Sequence, residues 1–226
     1  MADPVAGGHP AARLTGVDVE IERVPVLRGL DLTVAAGERL GVLGANGTGK
    51  TTLLRVLATL VAPSAGHGEV LGARLGTPAC AAIAPRIALI AHEPALYPKL
   101  SLRENLHFVA RLTGISPTAA DDALDRVGLA RAADRRAEVC SQGMRRRAEL
   151  ARVLFSTPSL LLLDEAHAGL DAASAGLVEA AAEQVCRRGG ASVAVAHDHQ
   201  RLAAMSDRVV EITAGRAVAM PREMAV

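Results

Sequence analysis

The residues best suited to chemistry form one unbroken run: Gly44, Ala45, Asn46, Gly47, Thr48, Gly49, Lys50 and Thr51, followed by Thr52. The spacing G-x-x-x-x-G-K-[ST] is complete. Glycines let the backbone wrap an anion with successive N–H groups turned inward. A helix that starts here adds the partial positive charge of its N-terminus. Lys50 supplies a point charge for the β- and γ-phosphates of a nucleotide, and the Thr51 hydroxyl is a hard oxygen ligand for Mg2+. A chance Gly-rich turn lacks the context this motif needs, a strand before it and a helix after it. Here residues 39–43 read as a short apolar strand and 50–60 as a helix.

The run Leu160, Leu161, Leu162, Leu163, Asp164, Glu165 supplies a second chemical pair. A fully apolar strand suits a parallel sheet covered on both faces. It delivers both acids to its C-terminal end, where open α/β sheets bind ligands. Asp164 then suits the Mg2+ shell, and Glu165 is placed to polarise an attacking water. Two acids after a strand also describe an ordinary solvated turn; the complete phosphate cradle elsewhere in the chain favours the chemical reading.

The elements that must position these groups alternate between strand and helix, which predicts an α/β fold. Residues 14–22 and 26–34 read as strands. So do 69–71, 86–91, 192–196 and 209–213. Ser101 and Glu104 form a capping box that opens a helix to about Leu112, and Ser116 with Pro117 opens another to about Val127. Residues 144–155 read as an amphipathic helix, with Leu150, Ala151 and Leu154 opposite Arg145, Arg146 and Arg152. Residues 174–187 read as a further helix. The stretch from about 98 to 156 is nearly all helical, so a helical subdomain inserted in the α/β core is expected. The expected organisation is a flexible tail over 1–12 and a single domain over 13–226.

Composition narrows the classes. The chain has 226 residues, enough for one α/β domain with a substantial core. Lys+Arg is 25 and Asp+Glu 24, so the surplus of positive charge that marks nucleic-acid binders is missing. Tyr97, Phe108 and Phe155 are the only aromatics, which argues against base-stacking platforms. Cys80, Cys140 and Cys186 are widely spaced and odd in number, so neither a disulfide framework nor a zinc site is suggested. A reducing cytoplasm fits that pattern. No apolar run approaches the ~18–20 residues of a membrane span, and the start does not read as a signal peptide.

Just before the second motif stands Cys140, Ser141, Gln142, Gly143, Met144. With this segment the chain resembles the ATP-binding-cassette (ABC) ATPases that drive ABC transporters, whose signature is Leu-Ser-Gly-Gly-Gln. Ser141 and Gly143 match; the other three positions differ, and Ser141 also suits the N-cap of the helix that follows. The remaining elements follow in order. Gly169, Leu170 and Asp171 resemble the D-loop, and Val195, Ala196, His197 and Asp198 resemble the switch segment. The resemblance implies a P-loop NTPase fold of the ABC type: a mostly parallel sheet core, an N-terminal antiparallel β subdomain and the helical insert. It implies ATP and Mg2+ as cofactors, with ATP buried between two head-to-tail subunits in a homodimer or pseudo-dimer. Ser141 and Gly143 would touch the γ-phosphate bound to the opposite subunit, Asp171 would cross to the partner, and His197 would reach the γ-phosphate. Membrane-spanning permease subunits are the implied partners, which would hold the chain on the inner face of the cell membrane.

A closer resemblance is to the haem-exporter ATPases of bacterial cytochrome c maturation. It rests on residues 92–97, 100–108 and 141–147, and on His197 and Asp198 with Asp207, Arg208 and Val209 after them. Exporters of lipids, drugs or polysaccharides share much of this wording. Other classes are a soluble ABC-type ATPase acting on nucleic acid or ribosomes and a nucleotide sensor that does not hydrolyse. The single cassette and the near-zero charge disfavour the first; Lys50, Asp164, Glu165 and His197 together disfavour the second. Three departures stand out. No aromatic precedes Gly44 to stack on adenine, Ala166 replaces the usual Pro, and Glu93 takes the place of the Q-loop glutamine. Glu93 is therefore a candidate Mg2+ ligand. The alternative is an exposed loop carboxylate, with His92 or no residue in that role.

Overall fold

The computed structural model describes residues 9–167, 170, 172–196 and 198–220. The elements run β1 (Ala12–Ile21), β2 (Val24–Val34), β3 (Arg39–Leu43), α1 (Lys50–Leu57), β4 (Ala65–Val70), β5 (Ala73–Arg74), α2 (Ala79–Ile83) and β6 (Ile87–Ile90). They continue as α3 (Leu102–Leu112), α4 (Pro117–Arg126), α5 (Gln142–Ser156), β7 (Leu160–Asp164), α6 (Ala172–Arg187), β8 (Ala191–Val195), α7 (His199–Met205), β9 (Arg208–Thr213) and β10 (Arg216–Ala219).

Two sheets result. The N-terminal sheet is antiparallel, in the order β2-β1-β4-β5. The larger sheet has the order β10-β9-β3-β8-β7-β6 and is parallel except at β10. Every residue of β7 and β8 is buried, as apolar runs covered on both faces must be. One core fills the space between the two sheets around α1. A second lies where α6 and α7 cover the parallel sheet. A third joins α3, α4 and α5 around Leu102, Leu106, Leu124 and Phe155, and it forms the helical subdomain. Among the described residues no helix is long and apolar enough to cross a membrane.

The capping signals act as expected. Ser101 accepts from the Glu104 N–H while the Glu104 carboxylate accepts from the Ser101 N–H. Ser116 caps α4, and Ser141 caps α5 by accepting from the Met144 N–H. Other expectations need correction. Ala11 is buried and β1 opens at Ala12, so both belong to the fold rather than to the tail expected over 1–12. Helix α1 stops at Leu57, because Thr59 adopts φ 61, in the left-handed region, and donates to Val56 O. The α5 pattern reads Arg146 as solvent-facing, yet Arg146 is fully buried. Ala91 O, His92 O and Glu149 accept from its two terminal nitrogens, which offsets part of the cost of hiding a cation, while its Nε is buried without a hydrogen-bond partner.

Candidate phosphate-binding and hydrolysis site

The cradle joins the end of β3 to the start of α1. Its glycines are needed as glycines. Gly44 has φ 145, and a Cβ there would lie 2.6 Å from Ile212 O. Gly49 has φ 104, and a Cβ there would lie 2.7 Å from the Leu27 side chain. The turn is closed by the Thr48 hydroxyl, which donates to Ala45 O. Lys50 is the first residue of α1 and is buried. Its Nζ donates to Gly44 O at 2.6 Å and Ala45 O at 2.8 Å, which holds the ammonium at the mouth of the loop.

Strand β7 brings the acids to the same place. Its parallel pairing with β8 carries on to Asp164, which faces Val195. Thr51 Oγ1 donates to Asp164 Oδ2 at 2.9 Å. Glu165 leaves the strand at φ 51, a conformation that costs a residue with a Cβ roughly 1–2 kcal/mol. Its N–H donates to Val195 O, so the sheet holds that geometry in place. A cavity of about 390 Å3 is lined by Val26, Asn46, Gly47, Gly49, Lys50, Thr51, Thr52, Asp164 and Glu165. It therefore gathers both sequence motifs on one wall.

The donor set fits Mg2+. Among the described residues no cluster of three or more metal-ligating side chains occurs, but Thr51 and Asp164 place two hard oxygens together beside the cradle. Mg2+ is commonly held by only one or two protein oxygens, with nucleotide phosphates and waters completing the shell.

Other predicted residues are distributed differently. Ser141 and Gly143 lie at the start of α5, on the helical subdomain, and do not line the cavity of their own chain. Glu93 is exposed in the loop between β6 and α3 and does not line it either. Its neighbour His92 does approach the acids, with Nδ1 3.7 Å from Glu165 Oε2. Asp171 and His197 lie outside the described residues, as does Gly169. His167, close after Glu165, is only 12% exposed and lies 3.8 Å from Glu179. Burial and the nearby Arg201 push its imidazole below its ordinary value, against the opposing pull of Glu179 and Asp198.

Sheet order, loop and acids define a P-loop nucleotide-binding protein, in which a phosphate cradle and a strand-end carboxylate share one cavity. Residues 27–168 match the family described as "ABC transporter". The chain belongs to that family and is its ATP-hydrolysing domain. It is 42% identical over 183 residues, 79% of this chain and 84% of the relative, to the cytochrome c biogenesis ATP-binding export protein CcmA 2 of Cupriavidus metallidurans. It is 38% identical over 197 residues, 85% of this chain and 62% of the relative, to the daunorubicin resistance ATP-binding protein DrrA3 of Streptomyces coeruleorubidus. Among solved structures it resembles a dimeric ATP-binding cassette in a post-hydrolysis state bound to ADP and Pi. That likeness has TM-score 0.80 and 22% identity, covering 91% of this chain and 96% of the other.

Proposed function

We propose that this chain is the ATP-hydrolysing subunit of an exporter that serves haem delivery in cytochrome c biogenesis, working as a head-to-tail dimer beneath membrane-spanning permease subunits. The observation that carries the hydrolysis is the bonding of Thr51 to Asp164 on the cavity wall that also presents Lys50 and Glu165. The cargo reading is supported by the 42% identity to a cytochrome c biogenesis exporter.

In this reading the N–H groups of the cradle, from Gly44 to Thr52, hold the β- and γ-phosphates of ATP, and Lys50 neutralises them. Thr51 and Asp164 would hold Mg2+, which supplies charge neutralisation on the phosphates. Glu165 accepts hydrogen bonds from the attacking water and polarises it toward the γ-phosphorus. His197 orients the γ-phosphate. Ser141 and Gly143 of the second subunit close the far side of the nucleotide, and Asp171 crosses the interface. Glu93 is the proposed further Mg2+ ligand, in competition with a role for His92 beside Glu165. Closure of the dimer pulls on the permease, and phosphate release reopens it.

The test is complementation of a deletion strain, scored by covalently bound haem in c-type cytochromes. The unmutated gene restores them and Lys50→Ala does not. Normal c-type cytochromes in the deletion strain would overturn the cargo reading. Loss of resistance to a drug in that strain would assign the cargo to the class of the daunorubicin relative instead.

A further inference from the structure

The loop from Ala91 to Ala95 carries both His92 and Glu93, and it is held from beneath by two side chains of α5. Arg146 donates from Nη1 to Ala91 O and from Nη2 to His92 O, both at 2.6 Å. The same Nη1 donates to Glu149 Oε2 at 2.9 Å. The other oxygen, Glu149 Oε1, accepts from the Ala95 N–H at 2.9 Å. Both side chains are buried, at 0% and 1% exposure. One ion pair, a single helical turn long, thus grips both ends of a five-residue strap and leaves the two chemical residues in its middle exposed.

The same helix carries Ser141 as its N-cap, five residues before Arg146 and so about 8 Å away along the axis at ~1.5 Å per residue. At the other side of the strap, His92 faces Glu165 at 3.7 Å. Deeper along α5, Arg152 donates to Leu89 O, which pins β6 to the helix as well. A helix that only needed to pack would place apolar residues at these positions, since a buried ion pair costs desolvation that its mutual attraction scarcely returns. What the pair does supply is directional geometry: a planar fork can bridge two carbonyls and a carboxylate at fixed angles.

We infer that Arg146 and Glu149 are positioning residues for hydrolysis, a rigid link that fixes the His92–Glu93 strap against Glu165 and makes it move with the signature segment at Ser141. The inference rests on the proposed role of Glu165 as the water-polarising residue. A partner's nucleotide seated at Ser141 would then shift α5, the strap and the surroundings of Glu165 as one body.

The test uses the full chain and three readouts: steady-state ATPase kinetics, thermal melting, and backbone hydrogen exchange over residues 91–96. The double variant Arg146→Met/Glu149→Leu replaces the pair with apolar side chains of similar volume. The link predicts faster exchange over 91–96, kcat lowered at least tenfold and KM within about twofold, with folding intact. Arg146→Lys should fail to restore kcat, because an ammonium cannot form the fork. If the double variant does not fold, Ala95→Pro removes the backbone N–H that Glu149 accepts and should give the same split. Unchanged exchange over 91–96, or faster exchange with unchanged kcat, would overturn the link. Glu165→Gln run alongside separates the two ideas: full turnover there refutes the role of Glu165, whereas an inactive Glu165→Gln beside a fully active double variant refutes the link alone.

Discussion

Thr51 Oγ1 bonds to Asp164 Oδ2 at 2.9 Å across 113 positions of sequence. The contact joins the first turn of α1 to the end of β7 and creates the two-oxygen edge of the cradle. A hydrogen bond to a charged group contributes roughly 1.5–3 kcal/mol. Thr51→Val should therefore raise the Mg2+ concentration for half-maximal ATPase activity about tenfold or more, at ~1.4 kcal/mol per decade. Thr51→Ser keeps the hydroxyl and should stay close to the unmutated value. A Mg2+ titration of activity reads both.

Ser141 and Gly143 sit away from the cavity of their own chain. In the proposed head-to-tail dimer they would complete the cavity of the partner. A mixture of Lys50→Ala chains with Gly143→Asp chains should then regain activity that neither variant has alone. Random pairing makes half the dimers mixed, each with one intact site, so recovery should be roughly a quarter of the unmutated rate. No recovery on mixing, with dimers present by sizing, would place the signature in cis.

Val26 is the side chain that lines the cavity on the side of β2, and no aromatic precedes Gly44. Base stacking on an aromatic contributes ~1–3 kcal/mol where alanine substitution has measured it. Without it the purine is held mainly through its phosphates. GTP turnover should fall within about a hundredfold of the ATP rate, a gap of ~2.7 kcal/mol. Competition kinetics with the two nucleotides measures this.

His167 is held below its ordinary value of 6.5 by burial and by Arg201, with Glu179 and Asp198 pulling the other way. The unfolded chain takes up this proton near 6.5, and the folded chain only at lower pH. The folded state thus binds fewer protons between those values, so this stability is complete above 6.5 and is lost as pH falls through the folded value. Thermal melting between about pH 7.5 and about 5.5 should show a decline on acidification that His167→Asn reduces. An identical decline in the variant would remove His167 as its source.

What the sequence discloses follows from locality. The cradle is eight consecutive residues whose backbone conformation is encoded by Gly44, Gly47 and Gly49, and three helix starts are written in Ser101, Ser116 and Ser141. Strand β7 is visible because an unbroken apolar run can be satisfied only between two covered faces. Contacts between distant segments are not written in this way. Nothing near His92 indicates that it will face Glu165, because that approach depends on the β6–β7 pairing. Periodicity gave Arg146 and Arg152 the solvent face of α5, since a pattern of charges carries no record of the carbonyls waiting in the β6–α3 loop. Strand β10 and helices α2 and α7 were missed for a related reason. They are short, and tertiary packing decides them; the one available signal was Asp198, which caps α7 by accepting from the Arg201 N–H.

The central claim, that this cavity binds ATP and that Glu165 polarises the attacking water, is tested most directly by Glu165→Gln. The amide keeps the size of the side chain and one accepting oxygen, and removes its charge and its capacity to accept the water's proton. Binding of ATP with Mg2+ should stay within a few-fold while turnover falls at least a hundredfold, and sizing should show a dimer trapped by ATP. Turnover by Glu165→Gln at the unmutated rate would contradict the account.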